Sequence, residues 1–143
     1  MTLYPLLGIL SDRFRLAFVT DLTLLHNPHC STSVHALDEL EAAGREVKVR
    51  KYLLVAERLD RSELEDLAKR LVGDPVDALV RRDNLYKQLG LNLDGADAKT
   101  VVDTLVEHPK LLQRPILDDG KAAMIGRPRS RAAAWAAAGR VTE

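Results

Sequence analysis

The strongest constraint on this chain is a junction. The apolar run Leu22, Leu24 and Leu25 stops at Asn27-Pro28, and an amphipathic pattern starts almost at once at Ser31. A short apolar run bounded by turn residues reads as a buried strand. Val34, Leu37 and Leu40 then recur every third residue, with Ala36 and Ala43 beside them and Gly44 as terminator, so a helix is expected over Ser31 to Ala43. Val47, Val49, Tyr52 and Leu53, with charged Lys48 and Arg50 alternating, read as a second strand. Strand, helix and strand in succession imply a parallel pair joined by a right-handed crossover.

The middle of the chain reads as helical. Asp60 to Glu63 has capping-box spacing, and Leu64, Leu67, Leu71 and Val72 carry the helical period on to Gly73. Asp74 as N-cap and Pro75 at the first helical position predict a short helix with Val76, Leu79 and Val80 on one side and Arg81-Arg82 at its end. A further helix fits Ala98 to Glu107, with Val101, Val102, Leu105 and Val106 as its apolar face and His108-Pro109 as its stop. Ile116-Leu117, the turn Asp118 to Lys121 and the run Ala122 to Ile125 predict a hairpin. The alanine-rich stretch Ser130 to Ala138, ending at Gly139, is a helix by propensity. This order predicts an α/β domain: a four-stranded mixed sheet with helices against it.

Composition narrows the function classes. The 143 residues suit one domain, and 21 basic against 21 acidic side chains leave no global field that would draw the chain to nucleic acid. Apolar residues at 46% and charged residues at 29% match a folded, cytoplasmic-type domain. No apolar run approaches the ~20 residues that span a bilayer, so no membrane partner is expected. Residues 1–20 contain the apolar stretch Leu3 to Leu10, but no basic segment precedes it, and Ser11, Asp12, Arg13 and Arg15 stand where a cleavage site would be. They are read as an N-terminal extension of unknown role, with a single domain over 21–138.

Cys30 is the one cysteine, so no disulfide forms within the chain and any redox cycle must borrow its second thiol. It lies between the first strand and the first helix, in His26-Asn27-Pro28-His29-Cys30-Ser31-Thr32-Ser33. Unpaired amides and the helix dipole favour negative charge there, and the ordinary thiol pKa of ~8.5 falls to between ~3.5 and ~7.5 in such settings. The competing reading is a small buried hydrophobe, but turn and capping residues flank the thiol here instead of apolar ones. Arg81, Arg114 and Arg127 each stand at a junction between elements, where guanidinium groups would bind a tetrahedral oxyanion if they converged. Spacing alone also allows each to be a solvated surface charge. No metal is expected at the site.

The segment Leu25 to Ser33 resembles the glutaredoxin-dependent arsenate reductase family, whose thiol sits in a His-Asn-Pro-x-Cys loop. Tyr86 with Leu89-Gly90-Leu91, then Glu107-His108-Pro109-Lys110-Leu111-Leu112-Gln113-Arg114-Pro115-Ile116, and then Ile125-Gly126-Arg127-Pro128, follow in the family's order. The resemblance covers about Asp21 to Ala137. It implies a thioredoxin-like sheet with a helical insertion over about Asp60 to Pro109, and a cis-proline at Pro115 facing the thiol. It also implies Cys30 as the catalytic thiol, His26 as the residue that helps activate it, and Arg81, Arg114 and Arg127 as substrate-binding residues. This chain is one residue short between Arg81 and Tyr86, which leaves Arg82 as the alternative to Arg81.

The resemblance further implies that arsenate is reduced to arsenite through a covalent cysteine-arsenate intermediate. Glutathione or another low-molecular-weight thiol would act as cosubstrate, with a glutaredoxin-like protein as partner and no bound cofactor. Two departures bear on this. Val34 stands where many relatives carry a basic residue, which keeps open a mixed-disulfide reductase of the same fold. Ser33 stands where Spx-type regulators of RNA polymerase carry a second cysteine, which weighs against that non-enzymatic reading.

Overall fold

The computed structural model describes residues 22–142. The expected extension over 1–20 lies outside the described residues. Four strands form one sheet in the order β2-β1-β3-β4: β1 (Leu22–Leu25), β2 (Val47–Arg50), β3 (Ile116–Asp118) and β4 (Ala123–Ile125). β1 runs parallel to β2, whereas β1 with β3 and β3 with β4 pair antiparallel. Five α-helices accompany it: α1 (Ser31–Ala42), α2 (Arg61–Arg70), α3 (Asn84–Gln88), α4 (Ala98–Glu107) and α5 (Ser130–Ala138). This is the mixed, thioredoxin-like sheet expected above, with α2, α3 and α4 between its two halves.

Alternation along the strands divides the core in two. Leu22, Leu24, Leu117 and Met124 face α1 and α5, where Ala36, Leu40, Ala132, Trp135 and Ala136 close the layer. Leu25, Ile116, Ala123 and Ile125 face the other way, onto Leu64, Leu67, Leu79, Val101, Val102, Leu105 and Leu111 of the central segment. Each fully buried leucine contributes roughly 1.5–3 kcal/mol relative to exposure, so both faces are anchored by many such side chains.

Several boundaries differ from the sequence pattern, each for a local reason. The second strand ends at Arg50 because Tyr52 N–H and Leu54 N–H turn back to Arg50 O and Lys51 O, carrying the chain off the sheet. The capping box at Asp60 and Glu63 forms, but α2 stops at Arg70 instead of reaching Gly73. Leu71 bridges Ala123, and Val72 N–H bonds Ala123 O at 2.9 Å, so a sheet-edge pairing replaces the last helical turn.

Asp74 is not an N-cap. It accepts from Arg131 at 2.6 Å, and a 3-10 turn over Val76–Leu79 follows Pro75 in place of the short α-helix. α3, capped by Asp83 on Tyr86 N–H, has no counterpart in the sequence pattern. On α1 Leu40 and Ala36 are buried as expected and Leu37 packs against the core, but the face turns toward Thr32 and Ser33, leaving Val34 37% exposed. Small side chains at Ser33 and Ala36 let the helix approach the sheet closely.

Candidate active site

The turn after β1 is built by its own sequence. Asn27 Oδ1 accepts from His29 N–H at 2.9 Å, and Cys30 N–H donates to Asn27 O at 3.0 Å, closing the loop. Cys30 is thereby the N-cap of α1, extended at φ −102° and ψ 118°, and its carbonyl accepts from Val34 N–H at 2.9 Å. Its thiol is half-buried. Burial alone pushes the thiol pKa up, but the backbone amides of Ser33 and Thr32, with Arg114 and Arg127, outweigh it, and the net shift is downward. No capping hydrogen bond of ordinary geometry joins the neutral side chain to these amides. Their pull is on the charged form.

His26 is buried behind this turn. Its N–H extends the parallel ladder to Arg50 O at 2.9 Å, and its Nδ1 lies 2.7 Å from Ser33 Oγ. That hydroxyl also accepts from Asn27 N–H at 3.1 Å, so Ser33 ties both the ring and the loop backbone to the first turn of α1. Burial, then the Lys51 charge, lowers the His26 pKa and keeps the ring neutral near pH 7. Among the described residues its side-chain hydrogen bond goes to Ser33, whose amide faces the sulfur, and not to the sulfur itself.

Arg114 and Arg127 arrive from the hairpin. The register pairs Ile116 with Ile125, which sets the residue two before β3 opposite the residue two after β4. Arg127 Nε donates to Arg114 O at 2.9 Å, and its Nη2 reaches Cys30 Sγ at 3.5 Å. The Arg114-Pro115 peptide is cis as expected, and Arg127-Pro128 is cis as well. Gly126 is required between them: a Cβ there would stand 2.6 Å from Pro115 Cγ and 2.8 Å from Trp135 Cη2. Arg114 Nε is buried without a hydrogen-bond partner among the described residues.

Arg81 comes from farther away. Arg81 N–H donates to Leu111 O and Gln113 N–H to Leu79 O, both at 2.7 Å, around a Val80–Leu112 bridge. This short clip pairs the approach to Arg81 with the approach to Arg114. Burial, then the Arg114 charge, depresses the Arg81 pKa, with Asp83 at 3.3 Å opposing. Arg82 is occupied elsewhere: it donates to Asp77 O and Val80 O, lies 3.3 Å from both Asp77 and Asp94, and stacks 4.9 Å from the Tyr86 ring centroid. Of the two alternatives, Arg81 is the one in the field of Arg114 and Arg127.

Two residues escaped the sequence reading. Tyr52, 1% exposed, donates its phenol to Leu112 O at 3.1 Å and sits against Arg114 and Arg81. A buried tyrosine must find a partner for its hydroxyl, which was its only signal. Arg129 lays its guanidinium on the first turn of α1, Nη2 to Ser31 Oγ at 3.0 Å and Nε to Thr32 Oγ1 at 3.4 Å. Among the described residues no group of three or more His, Cys, Asp or Glu side chains is placed to hold a metal. No helix among them is long and apolar enough to cross a membrane. A thiol favoured as its anion, beside guanidinium groups at an open helix end, is equipped to attack a bound oxyanion.

Known proteins share this arrangement of chain. The ArsC family model matches residues 25–135. The arsenate reductase of Neisseria meningitidis serogroup A is 41% identical over 110 residues, covering 76% of this chain and 92% of that protein. The arsenate reductase of Haemophilus influenzae is 40% identical over 107 residues, 73% of this chain and 90% of its own. Among solved structures, an arsenate reductase from Vibrio cholerae superposes with a TM-score of 0.69 at 33% identity, covering 80% of this chain and 96% of that one. With the family model spanning most of the chain and relatives matched over nearly their whole length, this protein belongs to the ArsC family.

Proposed function

We propose that the protein is a cytoplasmic arsenate reductase in which Cys30 is the nucleophile and Arg81, Arg114 and Arg127 hold the oxyanion. The observation that carries this reading is the 3.5 Å approach of Arg127 Nη2 to Cys30 Sγ, with Arg114 bonded to Arg127 through its carbonyl. The same positive groups that favour the thiolate would favour the arsenate it attacks. Relatives named arsenate reductases, at about 40% identity, support arsenate as the substrate. His26 acts at one remove, fixing Ser33 so that its amide faces the sulfur.

The chemistry balances with external thiols. The Cys30 thiolate attacks arsenic, a sulfur–arsenic bond forms, and a protonated oxygen leaves as water. A small thiol such as glutathione adds a second sulfur–arsenic bond and releases a second water. A glutaredoxin-type thiolate then attacks the sulfur of that small thiol. The electron pair of the broken bond passes to arsenic, reducing it by two electrons as a mixed disulfide departs, and water releases arsenite from Cys30. Arsenite production from arsenate, glutathione and glutaredoxin by the purified protein tests this reading. Activity in the wild type and none in Cys30→Ser supports it. No arsenite from a protein whose Cys30 still alkylates rapidly at neutral pH refutes it and favours a mixed-disulfide reductase.

A further inference from the structure

We propose that Arg129 is a specificity residue at the mouth of the site, binding a carboxylate on the small thiol that reacts with Cys30; this rests on the proposed thiol chemistry. Charge bookkeeping points there first. Away from the site, Arg50, Arg61, Arg70, Arg82 and Arg131 each sit against an aspartate or glutamate, and Arg45 is held by the Ala136 and Ala137 carbonyls. Around Cys30, Arg114, Arg127 and Arg129 have no carboxylate within ion-pair distance among the described residues, and Arg81 alone has one, Asp83. In a chain of zero formal net charge, these cations leave a local positive excess beside one thiol.

Arg129 is the outermost of these cations and the least expected on electrostatic grounds. It is the N-cap residue of α5 and its guanidinium rests on the first turn of α1, so it stands at the positive ends of two helices. Only hydroxyls hold it, through Nε and Nη2, and Nη1 has no hydrogen-bond partner among the described residues. Ser31, its main support, is exposed and directly follows Cys30. Arg127 occupies the sulfur itself. A second reactant that presents its own sulfur to this pocket must leave its body outside, over Ser31, where a carboxylate meets the open side of the Arg129 fork.

The step that isolates this contact is thiol–disulfide exchange at Cys30 without arsenate. The thiolate attacks one sulfur of a symmetric disulfide, the old sulfur–sulfur bond breaks, and the departing thiolate carries off the electron pair while Cys30 is oxidised to the mixed disulfide. Second-order rates by mass spectrometry would be compared for glutathione disulfide and uncharged bis(2-hydroxyethyl) disulfide. Arg129→Ala is expected to slow the first about five- to tenfold and the second less than twofold, from loss of a charge-assisted contact. Lys110→Ala, which removes the same charge from an exposed turn, should leave both rates nearly unchanged. Equal slowing of both disulfides, no slowing of either, or an equal effect of Lys110→Ala would overturn the proposal. Because arsenate takes no part, failure of arsenate reduction would register separately, in the arsenite assay.

Discussion

The thiol and Arg81, the arginine supplied by the central segment, are placed in opposite ways. Cys30 is fixed by residues adjacent in sequence: an Asn27 turn, a helix start and a Ser33 hydroxyl, all within one loop. Arg81 is fixed by a clip to residues 30 positions away, Leu111 to Gln113, closed by the Tyr52 phenol from a third segment. The thiol is therefore placed by a local structure, and Arg81 by a tertiary one. Perturbing the central segment should weaken substrate binding while leaving the thiol reactive.

The clip depends most on its buried anchor, Leu79. Leu79 is 1% exposed, and Leu79→Ala should cost about 2–5 kcal/mol of stability by urea unfolding. At temperatures where the variant stays folded, alkylation of Cys30 should proceed at nearly the wild-type rate while arsenate turnover falls. Arg127→Ala touches both halves at once, since Arg127 reaches the sulfur and bonds Arg114. Loss of a charged hydrogen bond of about 1.5–3 kcal/mol should lower kcat/KM for arsenate by about one to two powers of ten.

Tyr52→Phe keeps the buried ring and removes only the clasp on Leu112. One hydrogen bond of about 1 kcal/mol should appear as a three- to tenfold rise in the arsenate KM with little change in kcat. An equal fall in kcat would mean that Tyr52 also bears on the thiol. The smallest effect is expected at Glu63, which accepts from Arg50 and from Asp60 N–H. Arg50 holds its carboxyl at about 2. A depressed carboxylate stabilises the fold above its unfolded pKa, about 4.3, and that contribution disappears as pH falls toward 2. Glu63 is well exposed, so Glu63→Gln should cost less than about 1 kcal/mol at pH 7, and its thermal stability should converge on the wild type in acid.

The same contrast explains what was legible in the sequence. The Cys30 loop, the capping box at Asp60 and the Ser130 helix with its Gly139 terminator are written in neighbouring residues, and each formed where the pattern placed it. The early end of α2 was not legible, because a pairing of Leu71 with Ala123, distant in sequence, overrode a helical period that ran on to Gly73. Asp74 was misread for a similar reason: its carboxylate meets Arg131, and nothing local announces that. The buried face of α1 misled differently. Leu40 and Ala36 lie on the expected face, but Val34 is exposed because the polar Thr32 and Ser33 take the buried positions of the first turn. Tyr52 and Arg129 join the site only through tertiary contacts, and motif reading has no access to those.

On this reading, one cluster of positive groups holds both the thiolate and the oxyanion. The direct test is the pH dependence of Cys30 alkylation by iodoacetamide, with and without arsenate, in the wild type and in Arg127→Ala. A midpoint clearly below the ~8.5 of a free thiol, protection by arsenate, and loss of both in the variant are predicted. A wild-type midpoint at or above that value, or alkylation indifferent to arsenate, would contradict the claim.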